Sequence, residues 1–122
     1  MLNKATLIGR LAAQPEIKYL QNGDPVCNFN LATSESWKNK EGEKQEKTEW
    51  HKIIFFGKLA EICTQYLIKG SLIYLEGKIQ TRSWDDKEGV KHYTTEIVGK
   101  EMKMLGGKKE GEPTQQADDT PF

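Results

Sequence analysis

Two cysteines are all that this chain of 122 residues holds, and neither has a CxxC partner. Cys27 and Cys63 lie within apolar patterns, so they are expected as reduced core thiols rather than as a disulfide or a metal site. Histidine is as scarce: His51 and His92 stand without the neighbouring ligands that zinc requires. There is no glycine-rich phosphate loop, and no serine or cysteine sits in a nucleophile setting. Asp85 and Asp86 are adjacent, so on a strand they would face opposite ways, and a turn suits them better than acid–base catalysis. Neither catalysis, nor a metal, nor a cofactor is therefore expected. No apolar run approaches bilayer length, so no membrane partner is expected either. The opening MLNKATLIGRL enters a strand pattern at once and leaves no stretch for a targeting peptide, which makes a cytoplasmic location the expectation. Net charge is missing too. Residues 106–122 hold two lysines and four acids, which leaves 16 cations and 14 acids in residues 1–105. Any polyanion site must then be a local stripe and not a global field.

What the chain does have is alternation. In VCNFNLATS, Cys27, Phe29 and Leu31 share one face while Val26, Asn28, Asn30 and Ala32 take the other, the period-two signature of a strand. EWHKIIFFG (49–57), SLIYLEGKIQTRSW (71–84) and HYTTEIVG (92–99) read as further strands, with turns at QNGDP (21–25) and DDKEG (85–89). One segment breaks the pattern. In KLAEICTQYLIKG (58–70), Leu59, Ile62, Cys63, Tyr66 and Leu67 recur at helical spacing, and Gly70 stands where a helix C-terminal glycine belongs. A single helix between the third and fourth strands of an all-β chain suggests a five-stranded barrel of the OB type; an open antiparallel sheet crossed by a helix is the alternative. The runs IIFF (53–56) and LIYL (72–75) are apolar on both faces, so the outer face needs cover from the helix, a ligand or a second subunit. From Gly106 onward apolar residues all but vanish, and residues 106–122 are expected to form a disordered linker and tip.

Three tryptophans remain to be placed. Trp37 and Trp50 bracket the charged run KNKEGEKQEK, expected as a hairpin loop, and Trp84 borders the turn DDKEG. A lone tryptophan in a strand is more often a core residue than a platform. All three, however, lie where strands leave the barrel, and each has a cation close by: Lys38, Lys52 and Arg82. Aromatic faces interleaved with cations suit single-stranded nucleic acid, whose bases stack while its phosphates meet positive charge. Trp50 also shares a strand face with Lys52, Ile54 and Phe56, a mixture that fits a groove floor as well as a core.

In order along residues 1–107, LATSESW, TEWHKIIFFGKLAE, YLIKGSLIYLEGKIQTRSW, YTTEIV and MLGG together resemble the bacterial single-stranded DNA-binding proteins, as does the Asp-Asp-Thr-Pro-Phe ending. The resemblance implies an OB-fold domain over residues 1–105 that forms a homotetramer and coats single-stranded DNA during replication, recombination and repair. It places Trp37, Trp50, Phe56 and Trp84 at base-stacking positions. Lys38, Lys52, Lys58, Lys69 and Arg82 fall on its phosphate-binding positions, and His51 on a subunit contact. It further implies a nucleoid-associated cytoplasmic protein whose tip, Asp118, Asp119, Thr120, Pro121 and Phe122, docks onto replication and repair proteins. Two departures stand out: Ser83 replaces a common basic residue, and Thr120 stands where an apolar residue is usual beside a less acidic tip. Two other readings stay open, an RNA-directed or primosome-type OB-fold binder and an oligomeric scaffold that only displays its tail.

Overall fold

The computed structural model describes residues 1–106; the expected linker and tip, residues 106–122, lie outside it from residue 107 onward. Six strands and one helix follow in the order β1 (Ala5–Leu11), β2 (Glu16–Tyr19), β3 (Pro25–Lys38), β4 (Lys44–Phe56), α1 (Lys58–Tyr66), β5 (Leu72–Asp85) and β6 (Lys91–Leu105). The hydrogen-bonded order β1-β5-β6-β4-β3 closes on itself because β1 also pairs with β3, through Arg10 with Ala32 and Leu11 with Leu31. This is the expected five-stranded OB barrel, with the helix between its third and fourth strands. Closure brings backbones unusually near: a Cβ on Gly9 would collide with the carbonyl oxygen of Ala32, so no larger residue fits there without displacing β3.

Alternation decides what fills the barrel. Cys27, Phe29 and Leu31 of β3, Ile53 and Phe55 of β4, Ile73 and Leu75 of β5 and Ile97 of β6 point inward as one buried cluster. The helix closes one end of that cluster with Ala60 and Cys63, and Leu67 follows just after it. Both cysteines are buried free thiols, and burial pushes Cys63 up to about 12, so neither is poised as a nucleophile.

Two expectations need correction, and one strand has no counterpart in the sequence reading. The short strand β2 was not legible, because its four residues EIKY are almost wholly exposed and pair only with β3. The helix does not run to Gly70. It ends where Leu67 turns extended to reach the core, and Gly70, at φ 90°, belongs to a separate turn whose N–H reaches back to the Leu11 carbonyl. Tyr66 accordingly points outward, half exposed. The charged run between Trp37 and Trp50 is mostly strand, not loop. An unbroken antiparallel ladder runs from Val26–Phe56 to Lys38–Lys44, and only Asn39–Glu43 turn. The Asn39 side-chain oxygen accepts the N–H groups of Glu41 and Glu43 at 2.9 Å each, which is enough to reverse the chain. The turns expected at 21–25 and 85–89 are both present, with Gly23 and Gly89 in the left-handed region.

Candidate nucleic-acid interface

Because the β3–β4 ladder has no bulge, side-chain parity can be followed along its length. Phe55 and Ile53 face the core, so Phe56, Ile54, Lys52 and Trp50 face outward, opposite Val26, Asn28, Asn30 and Ala32 of β3. Apolar rings thus alternate with a cation along one outer face. Trp37 has the other parity. It shares the ribbon face of Thr33 and His51 and pairs with Gln45 near the far end, so it is not on the same face as Trp50. On the β5–β6 ribbon, Trp84, Arg82 and Gln80 share the outer face with His92, Thr94 and Glu96.

The decisive quantity is exposure. Trp37, Phe56 and Trp84 are each 46% exposed and Trp50 is 60% exposed. Large apolar rings held at that level gain little from the core, and they remain open to a partner. Trp84 alone among them is fixed by polar contacts in the described residues: its indole N–H donates to Thr94 Oγ1 at 3.1 Å and its ring lies parallel to His92, centroids 4.5 Å apart.

Between the two ribbons lies a groove of about 350 Å³, lined by Gln14, Asn28, Asn30, Lys52, Arg82 and Glu96 among others. The geometry gathers Lys52 and Arg82 there, but it treats them differently. Lys52 has no ion pair among the described residues, whereas Arg82 donates from Nε to Glu96 Oε2 at 3.2 Å. Glu96 is nearly sealed and also accepts from Gln80 at 3.3 Å. The other predicted cations are scattered. Lys38 sits opposite Lys44 at the ribbon's end, Lys58 opens α1 beside Phe56, and Lys69 lies in the turn that precedes β5. His51 is half-buried, its Nε2 2.9 Å from Thr33 Oγ1. Asp118, Asp119, Thr120, Pro121 and Phe122 lie outside the described residues.

Sequence reasoning missed Glu96, the amide side chains that line the groove, and the pairing of Trp84 with His92. A glutamate in an alternating strand carries no mark of burial, and His92 meets Trp84 only through the register of a hairpin. Among the described residues no group of three or more His, Cys, Asp or Glu side chains could hold a metal ion, and no described helix is long and apolar enough to cross a membrane.

Comparison with known proteins gives a consistent result. Residues 2–105 match the model of the single-strand binding protein family. Single-stranded DNA-binding protein 1 of Xylella fastidiosa is 56% identical over 110 residues, covering 89% of this chain and 81% of that one. The single-stranded DNA-binding protein of Neisseria meningitidis serogroup A is 54% identical over 109 residues, and the aligned part spans 63% of that longer relative. Among solved structures, that of the Plasmodium falciparum SSB in complex with ssDNA superposes with a TM-score of 0.79 at 35% identity, over 86% of this chain and 96% of that one. A deletion mutant of the single-stranded DNA binding protein from Thermus aquaticus gives a TM-score of 0.75 at 29% identity, over 87% of this chain and 51% of that one.

Proposed function

The chain belongs to the single-strand binding protein family, and we propose that it binds single-stranded DNA, without strong sequence preference and without catalysis. One observation carries the reading: three tryptophans and a phenylalanine stand exposed on the ribbons of a small barrel, with Lys52 on the face of Trp50 and Phe56 and Arg82 on the face of Trp84. Duplex DNA hides its base faces, so outward rings gain most from an unpaired strand. Trp37, Trp50, Phe56 and Trp84 stack bases in this reading, and Lys38, Lys52, Lys58, Lys69 and Arg82 meet phosphates. Stacking does not read hydrogen-bonding edges, which accounts for tolerance of sequence.

The finer roles belong to the same proposal. Residues 1–105 form the DNA-binding and oligomerising domain, and 106–122 a linker and tip. Assembly as a homotetramer would cover apolar side chains left outside the barrel, such as Ile8, which is 41% exposed opposite Tyr74, with His51 at a subunit contact. The acidic, aromatic segment Asp118–Phe122 would recruit partner proteins at sites of replication, recombination and repair, in the cytoplasm beside the nucleoid. Its chemistry suits an apolar pocket with a basic rim.

Labelled oligo-dT, its duplex with oligo-dA and a matched oligo-U separate the alternatives. Binding should be tight for the single DNA strand, weak for the duplex and weakened by salt. Preference for the RNA strand would move the proposal to an RNA-directed binder that contacts the 2′-hydroxyl. Binding to none of them would overturn it.

A further inference from the structure

At the end of the β5–β6 ribbon four side chains form a continuous chain of contacts. Asp86 Oδ1 accepts the backbone N–H groups of Glu88 and Val90, both at 2.9 Å, and so is pinned by its own turn. Its other oxygen, Oδ2, lies 2.8 Å from His92 Nε2. The His92 hydrogen bond, followed by the backbone bond from Val90, holds the Asp86 carboxyl below its ordinary value. Asp86 is therefore an acceptor at neutral pH, and His92 Nε2 carries the donated proton. The imidazole then lies against Trp84 with an interplanar angle of 20°, and the indole N–H is spent on Thr94 Oγ1. An exposed indole would otherwise sample several rotamers, yet this one is held flat on one side and by its edge.

We propose that His92 is the positioning residue for Trp84, covering one indole face and presenting the other, already oriented, to a single nucleobase. This rests on the single-stranded DNA reading above and deepens it. The consequence is a difference between the tryptophans. Among the described residues no hydrogen bond fixes the indole of Trp37 or Trp50, and no ring stacks on either. Those two must lose side-chain freedom when a base arrives, whereas Trp84 has lost it beforehand. Pre-orientation of this kind improves affinity by removing an ordering cost, without adding a contact to the ligand. It also restricts Trp84 to one base, because the second face is taken.

The test uses the full chain and oligo-dT, with His92→Ala, His92→Phe and Trp84→Ala compared with the parent. Removing the ring should weaken binding by about two- to tenfold, the range expected for freezing one side chain. His92→Phe keeps a flat ring without charge and should restore binding to near the parental value, with the salt slope unchanged throughout. Incorporated 5-fluorotryptophan supplies a readout without DNA. The Trp84 fluorine resonance should shift in His92→Ala and in Asp86→Asn, while those of Trp37 and Trp50 stay in place. Parental affinity in His92→Ala, alongside a clear loss in Trp84→Ala, would overturn the inference. So would a loss in His92→Phe equal to that in His92→Ala with a shallower salt slope, since His92 would then be a phosphate contact. If no variant and not even the parent bound oligo-dT, the functional reading itself would fail, and the fluorine shifts would still report whether His92 orients Trp84.

Discussion

Arg82 and Glu96 meet diagonally across the β5–β6 ribbon, Nε to Oε2 at 3.2 Å, with the guanidinium side chain 56% exposed and the carboxylate side chain only 7%. One partner is in water and the other is nearly sealed. The pair therefore has an asymmetric role. Glu96 depends on Arg82 and Gln80 for its hydrogen bonds, while Arg82 retains donors that can turn to a phosphate. The buried negative charge also sits in the groove that Lys52 lines, where it opposes any polyanion.

Replacing Glu96 by Gln keeps an acceptor for Arg82 and removes that charge. Oligo-dT should bind more tightly at low salt, by about 1 kcal/mol, and with a salt slope steeper by up to about one phosphate contact. Isothermal titration across a salt series checks this; weaker binding at low salt would show that the carboxylate holds Arg82 in its working position. Arg82→Ala has the opposite signature. It should weaken binding and also cost about 1–3 kcal/mol of stability, because Glu96 is left buried without its strongest donor.

Phe55 and Phe56 are neighbours with opposite fates: Phe55 is wholly buried and Phe56 nearly half exposed. Phe55→Ala should destabilise the domain by about 3–5 kcal/mol through lost burial and a cavity. Phe56→Ala should change stability by no more than about 0.5 kcal/mol, yet weaken oligo-dT binding by about 1–3 kcal/mol. Urea melts and binding isotherms on the same two proteins decide it. Equal stability losses would mean that the outer face of β4 is packed and not free for a strand.

The outer face of β5 carries a titrating pair. The Tyr74 hydroxyl donates to Glu76, and Lys4 lies 3.1 Å from the same carboxyl group. The bond to Glu76, with some desolvation, pushes the Tyr74 phenol from its ordinary 10.0 up to about 12, and the bonds from Tyr74 and Lys4 lower Glu76. A raised phenol binds its proton more tightly when folded, so its stabilising share is complete below its unfolded value and fades as pH climbs towards about 12. A lowered carboxyl works the other way, its share being present above its unfolded value and lost as pH falls. Glu76→Gln should bring the most basic tyrosine titration, followed by phenolate absorbance and assigned with Tyr74→Phe, back towards the ordinary range. An unaltered alkaline titration would contradict the pairing.

Much of the barrel was legible in the sequence because its core strands obey a period of two. Cys27, Phe29 and Leu31 point where alternation puts them, whereas in IIFF and LIYL, apolar on both faces, only the fold shows that Ile53, Phe55, Ile73 and Leu75 are the inward set. Alternation fails where both faces of a ribbon meet water. Lys44–Lys47 carry no apolar period, and they are strand only because Asn39 ties a tight turn and β3 supplies the ladder. The helix was visible in its spacing, but its end was misplaced by a glycine that serves the next turn. At the site, exposed rings could be inferred from their polar neighbours and from family resemblance. What could not be read was pairing across strands: Trp84 with His92, Arg82 with Glu96, and the separation of Trp37 from Trp50 by parity. Each depends on ladder register, which residue order leaves undetermined until the turns are fixed.

The most direct measurement follows intrinsic indole fluorescence while oligo-dT is added at low salt, for the parent and for Trp50→Ala. Emission should fall to a saturating minimum as bases settle on the rings, and recover when salt is raised. Trp50→Ala should reach its own minimum only at higher concentration, its affinity lower by about 1–3 kcal/mol. Emission that stays constant at low salt, with strand present in excess, would mean that these exposed rings do not hold bases.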